Sequence, residues 1–334
     1  MNQGSLKIQN GISSDGNIAG RLKKLFRIRE MLIFLIVLSV VVILSIISPI
    51  FLTKANIMAV LLGVSIEAVL AIGMTILLVS GGFDLSVGSV LAFSGMVAGL
   101  LIRAGINVAA AIVIALLTGA VLGFINGIII AKIGVNPFVT TLGMLSIARG
   151  LVYIVTQGQP VVGLPKAFTA IGQGYFLGVQ LPIWYMVIAI LLGDFLLRKL
   201  RFLRQNYYIG GNEKSALLCG INVGRIKIFN YVLSGILAAI AGIILTARIG
   251  TASVGSGQGI ELKVISAVVI GGASLSGGEG TIIGAFLGSL LMQIISNALN
   301  LLGISVYWQQ LVIGLVLIAA VIIDTIGKKK QNIS

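Results

Sequence analysis

The sequence predicts an all-α, polytopic membrane bundle of about ten spans, and three observations carry that prediction. Of 334 residues, 58% are hydrophobic and 10% charged, well short of the roughly 25% that soluble domains use to coat a surface. The apolar residues fall in runs near the roughly 20 that a helix needs to cross a bilayer. Those runs are continuous, where barrel strands would alternate every second residue. The 44 glycines suit membrane helices, because small residues let backbones approach closely where lipid removes the usual hydrophobic drive.

In order, the spans are drawn at 31–51, 57–79, 84–103, 107–131, 137–157, 182–197, 227–249, 260–275, 280–300 and 304–326. Residues 1–30 form a polar, basic segment ahead of them. The first apolar run is long and lacks a small-residue cleavage site, so it is expected to stay as a span and not to be removed as a signal peptide. Residues 31–326 make the membrane domain, and 327–334 a basic tail.

A net charge of +14 would suggest nucleic acid in a soluble protein, but here the charges are clustered. Lys7, Arg21, Lys23, Lys24, Arg27 and Arg29 precede the first span. Arg198, Lys199, Arg201, Arg204, Lys214, Arg225 and Lys227 fill one central loop, and Lys328, Lys329 and Lys330 close the sequence. Together these are sixteen of the 23 basic residues. By the positive-inside rule all three segments are cytoplasmic, which puts both termini inside and requires an even number of crossings on each side of the central loop. The connection 158–181, with Pro160, Pro165 and the lone Lys166, then lies outside. Anionic lipid headgroups are the partner the basic clusters imply, with no nucleic acid.

The sequence has no histidine and one cysteine, Cys219. Imidazole catalysis, His or multi-Cys metal sites and an intrachain disulfide are therefore excluded, and a membrane enzyme is disfavoured by the missing nucleophile and base. No GxxxxGK[ST] stretch is present, so the chain has no phosphate-cradling loop for ATP.

Two stretches share G-G-x-x-L-S-x-G: Gly81, Gly82, Asp84, Leu85, Ser86 and Gly88, and Gly271, Gly272, Ser274, Leu275, Ser276 and Gly278, at an offset of 190. A fainter correspondence pairs Gly119 with Gly288, Gly134 with Gly303 and Phe138 with Tyr307, at an offset of 169. The difference is about one spanning helix, so the chain reads as two related halves, the first holding one additional segment. Paired glycine-broken apolar segments are what transporters use for discontinuous helices along the substrate path. A plain tight turn at the membrane surface is the other reading of the same residues.

Glu67, Asp84, Arg149, Asp194, Glu261 and Glu279 lie in or beside apolar runs, where a charge costs roughly 2.5–3.5 kcal/mol on insertion scales and so faces protein or water. Glu67 is a candidate for the path. Asp84 either caps the helix that opens after it or meets solute. Asp194 and Arg198, four apart, read as a helix-face ion pair, and Glu261 with Lys263 as a pair at the membrane interface. Tyr153, Gln157, Trp308, Gln309 and Gln310 could bond or stack on a polar solute, although aromatics are also ordinary at membrane interfaces.

The loop 198–226 is too polar to span. Within it Asn212 can cap a short helix, Glu213 suits its positive end, Ala216, Leu217 and Leu218 supply an apolar face, and Gly220 stops it. That face either lies on lipid or docks a soluble partner.

GGFDLSVGS, IGGNEKSALLCGINVGRIKIFNYVLSGILAAIAGII, IELKVISAVVIGGASLSGGEGTIIG and NLLGISVYWQQLVIGLVLIAAVIID resemble, in order, the ribose-type sugar permeases of bacterial ATP-binding-cassette importers. That family also contains xylose and autoinducer-2 permeases and, more distantly, those for branched-chain amino acids. The resemblance runs from about residue 30 to 325. It implies an inner-membrane subunit that dimerises with a second copy, receives solute from an extracytoplasmic sugar-binding protein and couples to a separate ATPase, which carries ATP and Mg²⁺. This chain itself would bind no cofactor. The segment Gly211, Asn212, Glu213, Lys214, Ala216, Leu217, Gly220 and Ile221 resembles the family's coupling segment. Two departures stand out: Lys263 occupies a place where many relatives carry an acidic residue, and Arg204-Gln205-Asn206 replaces the usual L-G-R run before Tyr207. An autonomous secondary carrier or channel is the rival from a different class.

Overall fold

The computed structural model describes residues 29–331; Lys7, Arg21, Lys23, Lys24 and Arg27 of the basic leader lie outside them. Thirteen helices follow one another: α1 Arg29–Ile47, α2 Lys54–Val79, α3 Val87–Arg103, α4 Val108–Ile128 continued by a π turn Ile129–Ile133, α5 Pro137–Thr156, α6 Lys166–Gln173, α7 Leu181–Lys199, α8 Arg201–Gly211, α9 Glu213–Leu218, α10 Val223–Ile249, α11 Ile260–Ile270, α12 Ile282–Leu301 and α13 Val306–Gln331. Between α6 and α7 a two-stranded hairpin pairs β1 Tyr175–Phe176 with β2 Val179–Gln180.

The protein is therefore an all-α polytopic membrane bundle. Among the described residues, α1, α2, α4 with its π turn, α5, α7, α10 and α12 are long and apolar enough to cross a bilayer. A helix stands at each of the ten expected runs, but α3 has 17 residues and α11 only 11. Both short helices adjoin a glycine motif. Helix α13 runs on through the boundary drawn at 326 as far as Gln331.

Helix ends collect at two faces. On the near face, Gly278 N–H donates to Val79 O at 2.9 Å, Tyr207 Oη to Gly280 O at 2.8 Å, and Thr281 Oγ1 to Glu30 Oε1 at 2.9 Å. These contacts join the ends of α1, α2 and α11 to the polar loop that carries α8. On the far face, Val161 pairs with Ala252 as an antiparallel bridge, and Gln173 Nε2 donates to Arg248 O at 3.0 Å. The segment 158–181 thereby covers the end of α10.

Helix α10 is the central post, packed between α2, α3 and α4. Small residues make that possible. A Cβ on Gly119 of α4 would run into Gly235 O, one on Gly123 into Tyr231 O, and one on Gly242 into Leu91 O of α3. The buried face of α10 reads Ser234, Gly235, Ala238, Ala239, Ala241 and Gly242. Such small-residue seams hold membrane helices by close van der Waals contact. The outward faces remain apolar: Ile46, Leu117, Ile154, Leu191 and Phe195 are all exposed, as lipid contact requires.

Replacing Gly235 by Val should separate α10 from α4 at a backbone contact and lower stability by about 3 kcal/mol, the upper range for overpacking. Gly143→Ala, where an added Cβ meets nothing within 4 Å, should leave the thermal midpoint in detergent unchanged or slightly raised.

Candidate functional site

Both glycine motifs end a helix in the same way. After α2, Gly81 takes φ +81°, and the Gly81 and Gly82 N–H groups donate to Leu78 O and Leu77 O, each at 2.9 Å. After α11, Gly272 takes φ +91°, and the Gly272 and Ala273 N–H groups donate to Val269 O and Val268 O at 2.9 and 3.1 Å. This is the left-handed cap that glycine supplies without strain, displaced by one residue between the motifs. The serine register keeps the offset of 190: Ser86 N–H donates to Asp84 Oδ1 at 2.8 Å, and Ser276 N–H to Ser274 Oγ at 3.1 Å.

Asp84 is buried and closes a local turn. Its Oδ1 also accepts from Ser86 Oγ, its Oδ2 accepts from Ser234 Oγ of α10 at 3.1 Å, and Asn126 Nδ2 of α4 donates to Ser86 Oγ at 3.1 Å. The carboxylate thus holds the turn ahead of α3, two positions before the helix cap at Ser86, and ties α3 to α4 and α10.

The two breaks meet on the near face at Gly210 of α8. A Cβ there would collide with Val79 O and with Gly278 N, so only glycine admits both helix ends. Gly82, Asp84, Ser86, Gly88, Gly271 and Ser274 are buried or nearly so, but Gly81 and Ser276 are exposed. The Gly81 cap sits at the edge of the near face. Tyr207, one turn before Gly210, keeps its hydroxyl proton for Gly280: burial pushes its pKa up, neighbouring Asp194 and Glu30 add to that, and Arg198 opposes it.

On the same face Asn212 Oδ1 accepts from Ser215 N–H at 3.0 Å and caps α9. Ala216 packs with Ile209, Val223 and Ile226, whereas Leu217 and Leu218 are 54% and 89% exposed; the expected apolar face is divided. Glu213 is held by Lys227 Nζ at 2.7 and 2.8 Å. Gly220 takes φ +79° just past the helix end. Lys214, Gly211 and Ile221 complete this face, and Asp194 and Arg198 form their ion pair at 2.8 Å.

A second polar level lies deeper. Residues 253–259 are not helical. They descend beside α3: Ala252 lies against Gly99, and Gly257 against Gly88, eleven residues or about 16 Å lower on a helix that rises 1.5 Å per residue. This is half the depth of a roughly 30 Å hydrocarbon core. Free carbonyls at that depth need donors, and Arg149 of α5 supplies them, its Nη1 donating to Val254 O at 2.7 Å and Ser256 O at 3.0 Å.

One turn below, Lys263 Nζ donates to Glu67 Oε1 of α2 at 2.6 Å and to Gln293 Oε1 of α12 at 2.7 Å. Lys263 therefore does not pair with Glu261, as its position in sequence suggested, but with a carboxylate 196 residues away. Gly63 leaves the room for Gln293, since a Cβ there would overlap its side chain. Arg248 lies within electrostatic reach of Glu67 and donates to Leu62 O at 2.6 Å. Glu67 Oε2 is buried and accepts no hydrogen bond. Above Lys263 a cavity of about 290 Å³ is bordered by Gln258, Ser296, Gln309 and Gln310. Of the polar side chains singled out in the sequence, Gln309 and Gln310 reach it, while Tyr153, Gln157 and Trp308 do not line it and are exposed.

The family model described as branched-chain amino acid transport system / permease component matches residues 56–321, a stretch that takes in both polar levels. The chain belongs to this permease family. The permease is 45% identical over 293 residues to the ribose import permease protein RbsC of Bacillus subtilis, covering 87% of this chain and 91% of that one. It is 42% identical to RbsC of Escherichia coli K12, covering 91% and 94%. It is 39% identical to the L-arabinose ABC transporter permease protein AraH of Azospirillum brasilense, covering 86% and 85%. No solved structure gives a significant match. With its apolar helices, membership makes the permease a multi-pass inner-membrane transport component and not an enzyme.

Sequence reasoning missed Gln258, Gln293 and Arg248 as members of the deep level. The alternation Gly255, Gly257, Gly259 was the available signal, because glycine at every second position suits neither a helix nor a covered strand.

Removing one partner of the Glu67–Lys263 pair should cost about 3 kcal/mol or more by leaving a buried charge unpaired. Glu67→Gln combined with Lys263→Met should recover most of that loss in the detergent thermal midpoint, and a double variant as unstable as the worse single would contradict direct pairing.

Proposed function

We propose that this permease forms the translocation path of an ATP-driven sugar importer, with a ribose-like monosaccharide as its solute. The observation that carries the reading is the polar level at mid-depth. A buried Lys–Glu pair, an unwound glycine-rich segment and a ring of amides are costly in lipid and have a use only where a polar solute crosses. The names of its relatives, ribose and L-arabinose permeases, support the sugar class.

In this reading the loop 198–226 faces the cytoplasm, both termini lie inside, and the chain crosses the membrane ten times. Two copies of the permease associate. A separate ATPase, which holds ATP and Mg²⁺, docks on α9 through Leu217 and Leu218, flanked by Glu213 and Lys214. A sugar-binding protein delivers solute to the far face. Nucleotide binding by the ATPase displaces α8 and α9, and the bundle shifts population between outward-open and inward-open states. The glycine motifs of α2 and α11 are the joints at which that displacement enters the bundle.

Vesicles reconstituted with the permease alone should take up no labelled ribose, and vesicles with ATPase, binding protein and internal ATP should accumulate it. Uptake by the permease alone would favour an autonomous carrier. Leu218→Asp should weaken the ATPase complex about tenfold or more, equivalent to about 1.4 kcal/mol, and abolish uptake while the permease remains folded. Gly220→Val, which strains a left-handed residue, should uncouple hydrolysis from uptake in the same assay.

A further inference from the structure

The cavity above Lys263 is built differently from the rest of the bundle. Its wall is the non-helical segment ending in Gln258 and Gly259, its far side is Ser296 of α12 with Gln309 and Gln310 of α13, and its floor is Lys263. Three of those six residues carry primary amides, each with donors and an acceptor. Lys263 has three donors, of which Glu67 and Gln293 fill two. Glu67 Oε2, directly behind it, is buried without a donor. The larger near-face groove beside Glu213 and Lys227 belongs to the docking face already described.

We propose that this cavity is a solute-binding subsite for a neutral polyhydroxylated molecule, with Lys263 as its specificity-determining residue. The inference rests on the sugar-permease reading and deepens it by naming the atoms that meet the solute. Amide groups answer hydroxyls as both donor and acceptor, and the third Lys263 N–H donates to one hydroxyl oxygen. A volume of about 290 Å³ is at the lower edge of ordinary ligand pockets, which suits a single monosaccharide. Glu67 neutralises the ammonium, so an anionic solute gains little from it. Arg149 and Arg248 are occupied by backbone carbonyls and take no part.

The test uses the full-length permease in right-side-out membrane vesicles. Gln310→Cys and, separately, Gln258→Cys are probed from outside with a membrane-impermeant methanethiosulfonate reagent. The native Cys219 lies on the opposite face and is the background in wild type. Both introduced thiols should react, and D-ribose or L-arabinose at millimolar concentration should slow the reaction. In the Glu67→Gln, Lys263→Met pair, which removes the ammonium without stranding the carboxylate, the half-protecting sugar concentration should rise about tenfold. Thiols that do not react, reaction that neither sugar slows, or protection unchanged in the pair would each overturn the subsite or the role of Lys263. ATP-driven ribose uptake by the complete wild-type transporter decides the broader reading separately, because protection at position 310 is read without ATPase or binding protein.

Discussion

Inside a bilayer the backbone has no water to bond, so every N–H and C=O that leaves helical geometry must find a partner in the protein. The architecture of this permease follows from where it breaks that rule and how it repays the breach. At the near face the glycine caps turn the last free groups of α2 and α11 back onto their own helices, and Gly278 N–H takes the Val79 carbonyl. At mid-depth the carbonyls of Val254 and Ser256 are taken by Arg149. An arginine in an apolar helix and an unwound segment are each unfavourable alone; together each supplies what the other lacks.

The same logic separates what the sequence makes legible from what it hides. Apolar runs identify helices because hydropathy is a local property, and every expected run holds one. The cap at Asn212 and the pair of Asp194 with Arg198 are local as well, closing over three and four residues. Lys263 is different. Its partner Glu67 lies on another helix, and next to it in sequence stands Glu261, a plausible partner that it does not choose. Side-chain pairing across a bundle depends on helix rotation, which a single sequence of nearly uniform hydropathy does not define. The descent of residues 253–259 was hidden for another reason: a Gly/Ser-rich stretch between two apolar runs has the composition of an external loop, and only its packing against Gly88 reveals its depth.

Gly88 also shows why the two glycine motifs are alike but not equivalent. In the first, a further helix follows, and Gly88 near its start gives way to the Gly257 backbone and the Glu261 carboxylate. In the second, Gly278 instead bonds Val79 and packs on Gly210. One motif thus serves the deep level and the other the near-face junction, although both share the cap and the serine turn. Gly134 and Gly303 repeat the pattern, each in left-handed geometry at the end of a helix.

Of the helices that join the two levels, one is much the shortest. Helix α11 is 11 residues long, a rod of about 16 Å. Its lower end is fixed by glycine contacts, Gly271 against Gly284 and the following Gly277 against Gly210. Its upper end carries Lys263 into the pair with Glu67. A full spanning helix would be clamped by lipid-length packing along both leaflets; a half-helix is clamped at one end by backbone contacts and at the other by three hydrogen-bonding side chains. A displacement at Gly210 would therefore reach Lys263 along one short rod, whose far end is held by the bonds to Glu67 and Gln293. The helix that looks too short to cross the membrane is short because the non-helical segment 253–259 takes up the length above it.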